Sequence, residues 1–376
     1  MHLITDDLYQ QLMTLVGTND AFYFQDFESP IPDSNYKLRI FNYRLASYTD
    51  FLNPGAVHCR GVMFGVGKGG TTTLLSLPME KFWNIDENPM TMGIDLNRIN
   101  RIEVKADGSL ISTYILDDQL FLKSKGSINS TQAVDAATWL DLPDNAKLKT
   151  ALYDVARQGM TVNMEWCAPF NRIVLPYQKE HLTVLNIRKH SDGEYVPWEN
   201  YAELTKHADN VVDVPCPVQF AKHVPDQVGV EGYVYRLANP YQRVKQKTLW
   251  YMTQHRAKDS INSDRRLFET VVADAQDDLR SMFHDDPYVI DRIDWMEAQV
   301  GVEYNSMVRD VERFYDENKT LDRKEYAIKG QNELANKMWF PLVMNLYSGK
   351  ENDYKAFMIS KWREYGIKDQ RGDGAT

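Results

Sequence analysis

An α+β fold in two domains is expected from this chain, and three observations carry the expectation. Its 376 residues exceed what one average-sized core holds. Up to about residue 255, short runs of alternating apolar and polar residues dominate. Beyond that point apolar residues recur every three or four positions, with few turn residues between them. A first domain with antiparallel sheets is therefore assigned to residues 1–255 and an all-helical domain to 256–376. The boundary is placed between Tyr251 and Ser263.

The elements follow in order. A short strand over 102–104 ends at Lys105, and an Asp-Gly turn follows at Asp107-Gly108. Segments 110–116 and 119–123 flank Asp117-Asp118 as a hairpin. Further strands are expected at 161–166, 182–188, 232–237 and 243–247, and a turn at Asp192-Gly193. The glycine-rich stretch from Gly65 to Thr71 fails the spacing of a phosphate loop, and no helical pattern follows it, so it reads as a hairpin loop. In the second domain, Leu267, Val271, Ala275, Leu279 and Met282 form one helical series. Ile293, Met296, Val300, Tyr304, Met307, Val311 and Phe314 form another. Asp285-Asp286 before Pro287 marks a loop or a helix start. Arg371-Gly372-Asp373 falls in a polar tail and reads as chance.

Composition narrows the function classes. Apolar residues make up 43% of the chain, enough for a real core. A net charge of −10 argues against a protein that coats nucleic acid non-specifically, because such affinity grows with the cations offered to phosphates. It leaves room for an enzyme with a local basic strip. No apolar run approaches the length of a membrane span. The opening segment carries Asp6 and Asp7 rather than a basic stretch followed by an apolar one, so a cytoplasmic location is expected. Cys59, Cys167 and Cys216 lie far apart and form no C-x-x-C pair, which indicates neither a zinc ribbon nor a disulfide framework. The histidines lack metal-ligand spacing.

Lys105-Ala106-Asp107-Gly108-Ser109 is the most informative stretch. A lysine at a strand end is aimed from a rigid scaffold, and its amine attacks electrophiles once it is deprotonated by desolvation or nearby cations. Attack on the α-phosphate of a nucleotide would give a lysyl phosphoramidate and release pyrophosphate. Taken alone the pentapeptide also fits a solvated lysine before a turn. Other segments support the chemistry: Cys59-Arg60-Gly61, the stretch 78–84 with Lys81, Asn163-Met164-Glu165-Trp166, Glu231-Gly232-Tyr233, and Lys245-Gln246-Lys247. Lys245 and Lys247 alternate on one strand and so face one side, where they could hold a polyphosphate. Glu231 at a strand start could hold Mg²⁺, which takes few carboxylates alongside phosphate oxygens and water. Glu165 lies between apolar residues, and an inward carboxylate there needs partners such as ribose hydroxyls.

In this order, K-x-D-G, an inner glutamate strand, E-G and K-x-K resemble the covalent nucleotidyltransferase superfamily of ligases and capping enzymes. More narrowly, the chain resembles the phage RNA ligase 1 family, which includes the tRNA-repair ligase of T-even phages. That likeness rests on Arg39-Ile40-Phe41-Asn42-Tyr43, Ala46-Ser47-Tyr48, Glu87-Asn88-Pro89, 121–127 and 168–174. It implies an adenylyltransferase (ATP-grasp-like ligase) domain that joins 5′-phosphate and 3′-hydroxyl RNA ends using ATP. Lys105 would accept AMP. Tyr43, Arg60, Lys81, Glu165, Lys245 and Lys247 would surround ATP, with Lys125, Tyr251, Asp107 and Gly108 as further active-site residues. Glu231 and Asp277 would hold a metal, Mg²⁺ with Mn²⁺ as the alternative. The resemblance also implies action in an infected bacterial cell on single-stranded RNA or a nicked tRNA anticodon loop, and a monomer is expected because no coiled-coil seam is visible. A polynucleotide kinase/phosphatase would be its partner. Ala106 stands where the T-even enzyme has an acidic residue, and Trp83 replaces a different aromatic.

Overall fold

The computed structural model describes residues 5–44, 46–238 and 242–368, so Arg371-Gly372-Asp373 lies outside the described residues. The chain divides into two compact units, Met1–Met252 and Thr253–Thr376, and the division falls inside the helix Leu249–Asn262.

Three antiparallel sheets build the first unit. One joins β1 (Phe22–Glu28), β2 (Tyr36–Tyr43), β3 (Val62–Gly67) and β4 (Thr72–Ser76) in sequential order. The remaining strands are β5 (Ile99–Val104), β6 (Ser109–Leu116), β7 (Gln119–Ser124), β8 (Met160–Cys167), β9 (His181–Lys189), β10 (Tyr195–Val196), β11 (Val211–Val212), β12 (Gly232–Leu237) and β13 (Gln242–Lys247). A five-stranded sheet runs β10-β9-β8-β6-β7, and a four-stranded sheet runs β11-β5-β12-β13.

Each sheet is fixed by what its apolar face covers. Leu8, Leu12 and Leu15 of the helix Thr5–Thr18 pack with Phe41 and Phe64 of the first sheet. Leu38, Ile40 and Met63 from that sheet meet Tyr114 and Leu116 of β6, joining it to the five-stranded sheet. The helices Thr131–Leu140 and Ala146–Ala156 lay Ala136, Leu140, Leu148 and Leu152 over Ile111, Val162, Met164 and Trp166. Each buried side chain of this size contributes roughly 1.5–3 kcal/mol.

The strands expected from alternation are all present, to within a few residues at their ends. Asp117 and Asp118 have φ of 47° and 58°, the left-handed pair that matches a two-residue hairpin turn to the strand twist. Gly67 donates to the carbonyl of Thr71, so 65–71 closes a hairpin between β3 and β4. The turn expected at Asp107-Gly108 is absent. β5 and β6 belong to different sheets, and 105–108 is an irregular crossing between them that bends at Gly108.

The second unit is helical. Its long helix Pro287–Asn318 buries Ile293, Met296, Val300, Met307, Val311 and Phe314 along one stripe. Asp286 caps it by accepting from the Val289 amide, a cap of the kind that contributes about 1 kcal/mol. The series Leu267 to Met282 is two helices rather than one, Asp264–Val272 and Gln276–Met282. Asp274 breaks it at φ 57°. The Ala275 amide donates to Thr270 and the Asp274 amide to Val271, a Schellman closure that satisfies the terminal carbonyls. An αL aspartate in place of the usual glycine hid this stop. No helix among the described residues is long and apolar enough to cross a membrane.

Candidate active site

A cavity of about 520 Å³ opens in the first unit where the strand ends of the five-stranded and second four-stranded sheets meet. Lys105 stands at its base, just past β5. The Lys105 amide donates to the Gly232 carbonyl at 2.9 Å, which continues the β5–β12 pairing and fixes the backbone from which the side chain projects. Its Nζ donates to Oε2 of Glu231 at 2.8 Å, and Lys247 Nζ reaches Oε1 of the same carboxylate at 2.9 Å. The Glu231 side chain is only 3% exposed. Gly232 explains why that carboxylate fits. Its φ is 149°, and a Cβ there would lie 2.1 Å from the Gln246 carbonyl oxygen, so only glycine lets β12 approach β13 beneath the glutamate.

Asp107 organises the crossing. It is 1% exposed, and its Oδ1 accepts from the Tyr251 hydroxyl at 2.6 Å. Its Oδ2 accepts from the Val174 and Leu175 amides, each at 2.8 Å. Its own amide donates to the Tyr177 hydroxyl at 2.9 Å. Gly108 follows because the chain must pass β8 closely; a Cβ would lie 2.2 Å from the Trp166 carbonyl oxygen. The Gly108 amide faces Glu165 Oε1 at 3.3 Å.

Cations line the remaining walls. Residues 78–85 form a strap between two sheets. Arg188 of β9 donates to the Pro78 carbonyl and to Glu80, while the Ile85 amide donates to the Lys245 carbonyl and the Lys245 amide to Trp83. This strap brings Lys81 beside Lys245. Lys125 and Lys81 lie 4.5 and 5.5 Å from the centre of the Tyr43 ring. Nη1 of Arg60 is buried without a hydrogen-bond partner. Among the described residues Arg60, Lys81, Lys125 and Lys245 make no salt bridge, so their charge is open to an anion.

Protonation follows from this crowding. Burial pulls the Lys105 ammonium toward neutrality, but the carboxylates of Glu231, Glu165 and Asp107 outweigh it and hold its pKa above the ordinary lysine value. The sequence reading expected desolvation or nearby cations to free the amine; in the ligand-free chain the acidic neighbours win. Burial lifts the Glu165 carboxyl to about 7, with Lys105 opposing and Glu231 adding to the rise. Burial, then Lys81, Lys105 and Lys247, lower Lys245 to about 8. Tyr43 is raised by burial but lowered more by Lys125, Lys81 and Arg60, and ends below the usual phenol value.

Tyr43, Arg60, Lys81, Lys105, Gly108, Lys125, Glu165, Lys245 and Lys247 thus line one cavity, and Glu231, Asp107 and Tyr251 brace it from behind. Asp277 lies apart from this set in sequence and unit, exposed in the first turn of Gln276–Met282. Several residues escaped the sequence reading. Arg188 anchors the strap, Tyr177 holds the Asp107 backbone, and Lys123 is fully buried beside Arg60, its pKa lowered to about 7 by burial and then by that guanidinium. Lys123 lies within the string 121–127 already singled out; nothing in sequence marks the other two. No group of three or more His, Cys, Asp or Glu able to hold a metal occurs among the described residues. Glu231 supplies one buried carboxylate, the ligand type a hard cation completed by phosphate oxygens and water takes, but its two oxygens are held by Lys105 and Lys247, so such a cation would displace an ammonium.

A family model described as RNA ligase matches residues 58–252, and one described as T4 RNA ligase 1, C-terminal domain, matches 258–366. A "Putative RNA ligase" of Thermovibrio ammonificans is 25% identical over 247 residues, 63% of this chain and 64% of that protein. The match therefore spans less than two thirds of that relative's length. Among solved structures, an archaeal ATP-dependent RNA ligase is 12% identical, with TM-score 0.45, covering 97% of this chain and 100% of that one. A mutant Naegleria gruberi RNA ligase with ATP and Mn is 11% identical, with TM-score 0.36, covering 63% of this chain and 99% of that one. On the family model that spans more than half of its length, this chain belongs to the RNA ligase family.

Proposed function

We propose that this protein is an ATP-dependent RNA ligase that works through a covalent lysyl-AMP on Lys105. The observation that carries the proposal is a lysine held by Glu231 at the base of a cavity whose walls present Arg60, Lys81, Lys125 and Lys245 without salt-bridge partners. A triphosphate is the ligand that such walls balance. Lys105 Nζ attacks the α-phosphorus, the bond to the bridging oxygen breaks, and pyrophosphate leaves toward Lys81 and Lys245. AMP then passes to an RNA 5′-phosphate, and an RNA 3′-hydroxyl displaces it to form the phosphodiester. Glu165 is placed to accept hydrogen bonds from the ribose hydroxyls.

Lys105 must lose a proton before attack, and Glu231 is the main charge that holds it. A divalent cation bound at Glu231, Mg²⁺ or Mn²⁺, would supply positive charge to the phosphate oxygens and remove that hold on the ammonium. Glu231 and, more loosely, Asp277 are the proposed ligands. We take residues 1–255 as the adenylylating domain and 256–376 as the domain that selects RNA. The proposed substrate is single-stranded RNA or a nicked tRNA anticodon loop, prepared by a kinase/phosphatase, with a monomer acting in the cytoplasm of an infected bacterium.

The test is incubation of the pure protein with α-labelled ATP or GTP and Mg²⁺, without RNA, beside Lys105→Ala. Label from ATP that survives denaturation and is lost in the variant is the expected result. No label from ATP, or equal label on the variant, overturns the assignment of Lys105. Label from GTP alone would move the protein to the capping class.

A further inference from the structure

One end of the five-stranded sheet gathers three chain segments at the Lys105 side of the cavity. The crossing 105–108 enters β6 there, where Ser109 pairs with Trp166 near the end of β8. β7 leaves at the same end, since Ile111 pairs with Ser124. The segments after β7 and after β8 therefore flank the nucleophile on its two sides.

The segment after β7 is polar and basic. Ser124, Lys125, Gly126 and Gln132 all line the cavity, and none of them is acidic. The segment after β8 presents Phe170 instead. Its side chain is 61% exposed, although the loop that carries it is firmly held. Asn171 donates from Nδ2 to Ser109 Oγ at 3.2 Å and to the Trp166 carbonyl at 3.0 Å, and Ser109 itself lines the cavity. Behind Phe170 stands a row of indoles: Trp166 at 6.4 Å between ring centroids, then Trp139 a further 5.8 Å from Trp166. The outer ring of this row is open to solvent, and the residue beside it is held by hydrogen bonds.

Single exposed apolar residues need no special account on most surfaces. Here the ring neighbours Trp166, the next residue Asn171 donates to the cavity-lining Ser109, and Lys125 lies on the opposite flank. Unpaired RNA ends offer this combination of phosphates for cations and base faces for aromatic rings. We propose that Phe170 is a stacking platform for a nucleobase of the RNA being joined, positioning that end over Lys105. The inference rests on the RNA-joining reading above and adds a substrate-contacting residue to it.

The experiment compares the full chain with Phe170→Ala and Phe170→Trp. Adenylylation by ATP without RNA is measured first, and then sealing of a 5′-phosphorylated oligoribonucleotide over a range of RNA concentrations. The alanine variant should adenylylate within about twofold of the parent while its KM for RNA rises about tenfold, the loss of one stacked base. The tryptophan variant should restore KM. Oligonucleotides with an abasic sugar at the 5′-terminal or the 3′-terminal nucleotide identify the end. With the base that stacks removed, parent and alanine variant should have equal KM. An unchanged KM in the alanine variant, or a KM difference that persists with both abasic substrates, overturns the platform. Failure of the parent to adenylylate overturns instead the reading beneath it.

Discussion

The two units handle charge in opposite ways. In the second, cations are paired with acids: Arg292 with Asp264 and Lys258 with Asp286 in largely buried pairs between helices, and Arg265 with Glu269, Lys329 with Glu333 and Lys361 with Glu364 in more exposed pairs within about one helical turn. Such exposed pairs contribute little and leave no net field. In the first, Arg60, Lys81, Lys125 and Lys245 converge on one cavity without salt-bridge partners, and burial, then repulsion from neighbouring cations, depresses Lys245 and Lys125. A chain with a net charge of −10 has acids to spare for them. That the cavity wall goes without them points to neutralisation by a ligand, which is the difference between a charge that decorates a surface and one that does chemistry.

The contrast can be broken most directly at Arg60. Arg60→Ala removes a preorganised donor with an unfilled bond, and adenylylation in a labelled-ATP assay should slow about 10²–10³-fold with the thermal midpoint little changed. A comparable loss of stability would instead make Arg60 a structural residue. Next is pH. Lys245 is charged below about 8 and neutral above it, so nucleotide affinity should weaken as pH rises through that value, by up to about tenfold per unit. Lys245→Arg should flatten the dependence, since a guanidinium keeps its charge; calorimetric titration from pH 7 to 9 checks both. Tyr251→Phe leaves Asp107 Oδ1 buried without its hydroxyl donor and should cost about 1–3 kcal/mol in denaturant unfolding. The smallest effect is predicted for Lys329→Ala, at most about 0.5 kcal/mol, because its pair with Glu333 is surface-exposed. A larger loss there would mean that the helical unit also relies on its charges.

Strands were legible because some alternate and others, such as β8 and β12, are short apolar runs buried nearly throughout, and cavity residues such as Tyr43 and Lys125 were legible only because the ordered segments resemble a known family. What stayed hidden is relational. Asp107-Gly108 has the letters of a turn, yet the reason for glycine is the nearby Trp166 carbonyl, a contact made across the sheet. Asp274 ends a helix in a conformation that its residue type only permits. Arg188 is an ordinary strand arginine until the strap at 78–80 is folded against it. Short-range pattern reports which side of an element is buried, but it does not report which distant segment buries it.

The strap has a consequence for the order of assembly. Its far end is held by backbone bonds between Trp83, Ile85 and Lys245, residues separated by most of the first unit, while the Lys81 amide donates to the Val57 carbonyl and Trp83 packs in the core of the first sheet. During synthesis, Lys81 is anchored early through Val57, but Lys245 joins it only once β13 has left the ribosome and paired. Long-range closure of this kind is slow and comes late in folding. The part of the cavity wall that carries Lys245 should therefore be the last part of the first unit to form, so a nascent chain carries Lys105, the proposed nucleophile, before the cavity around it is complete.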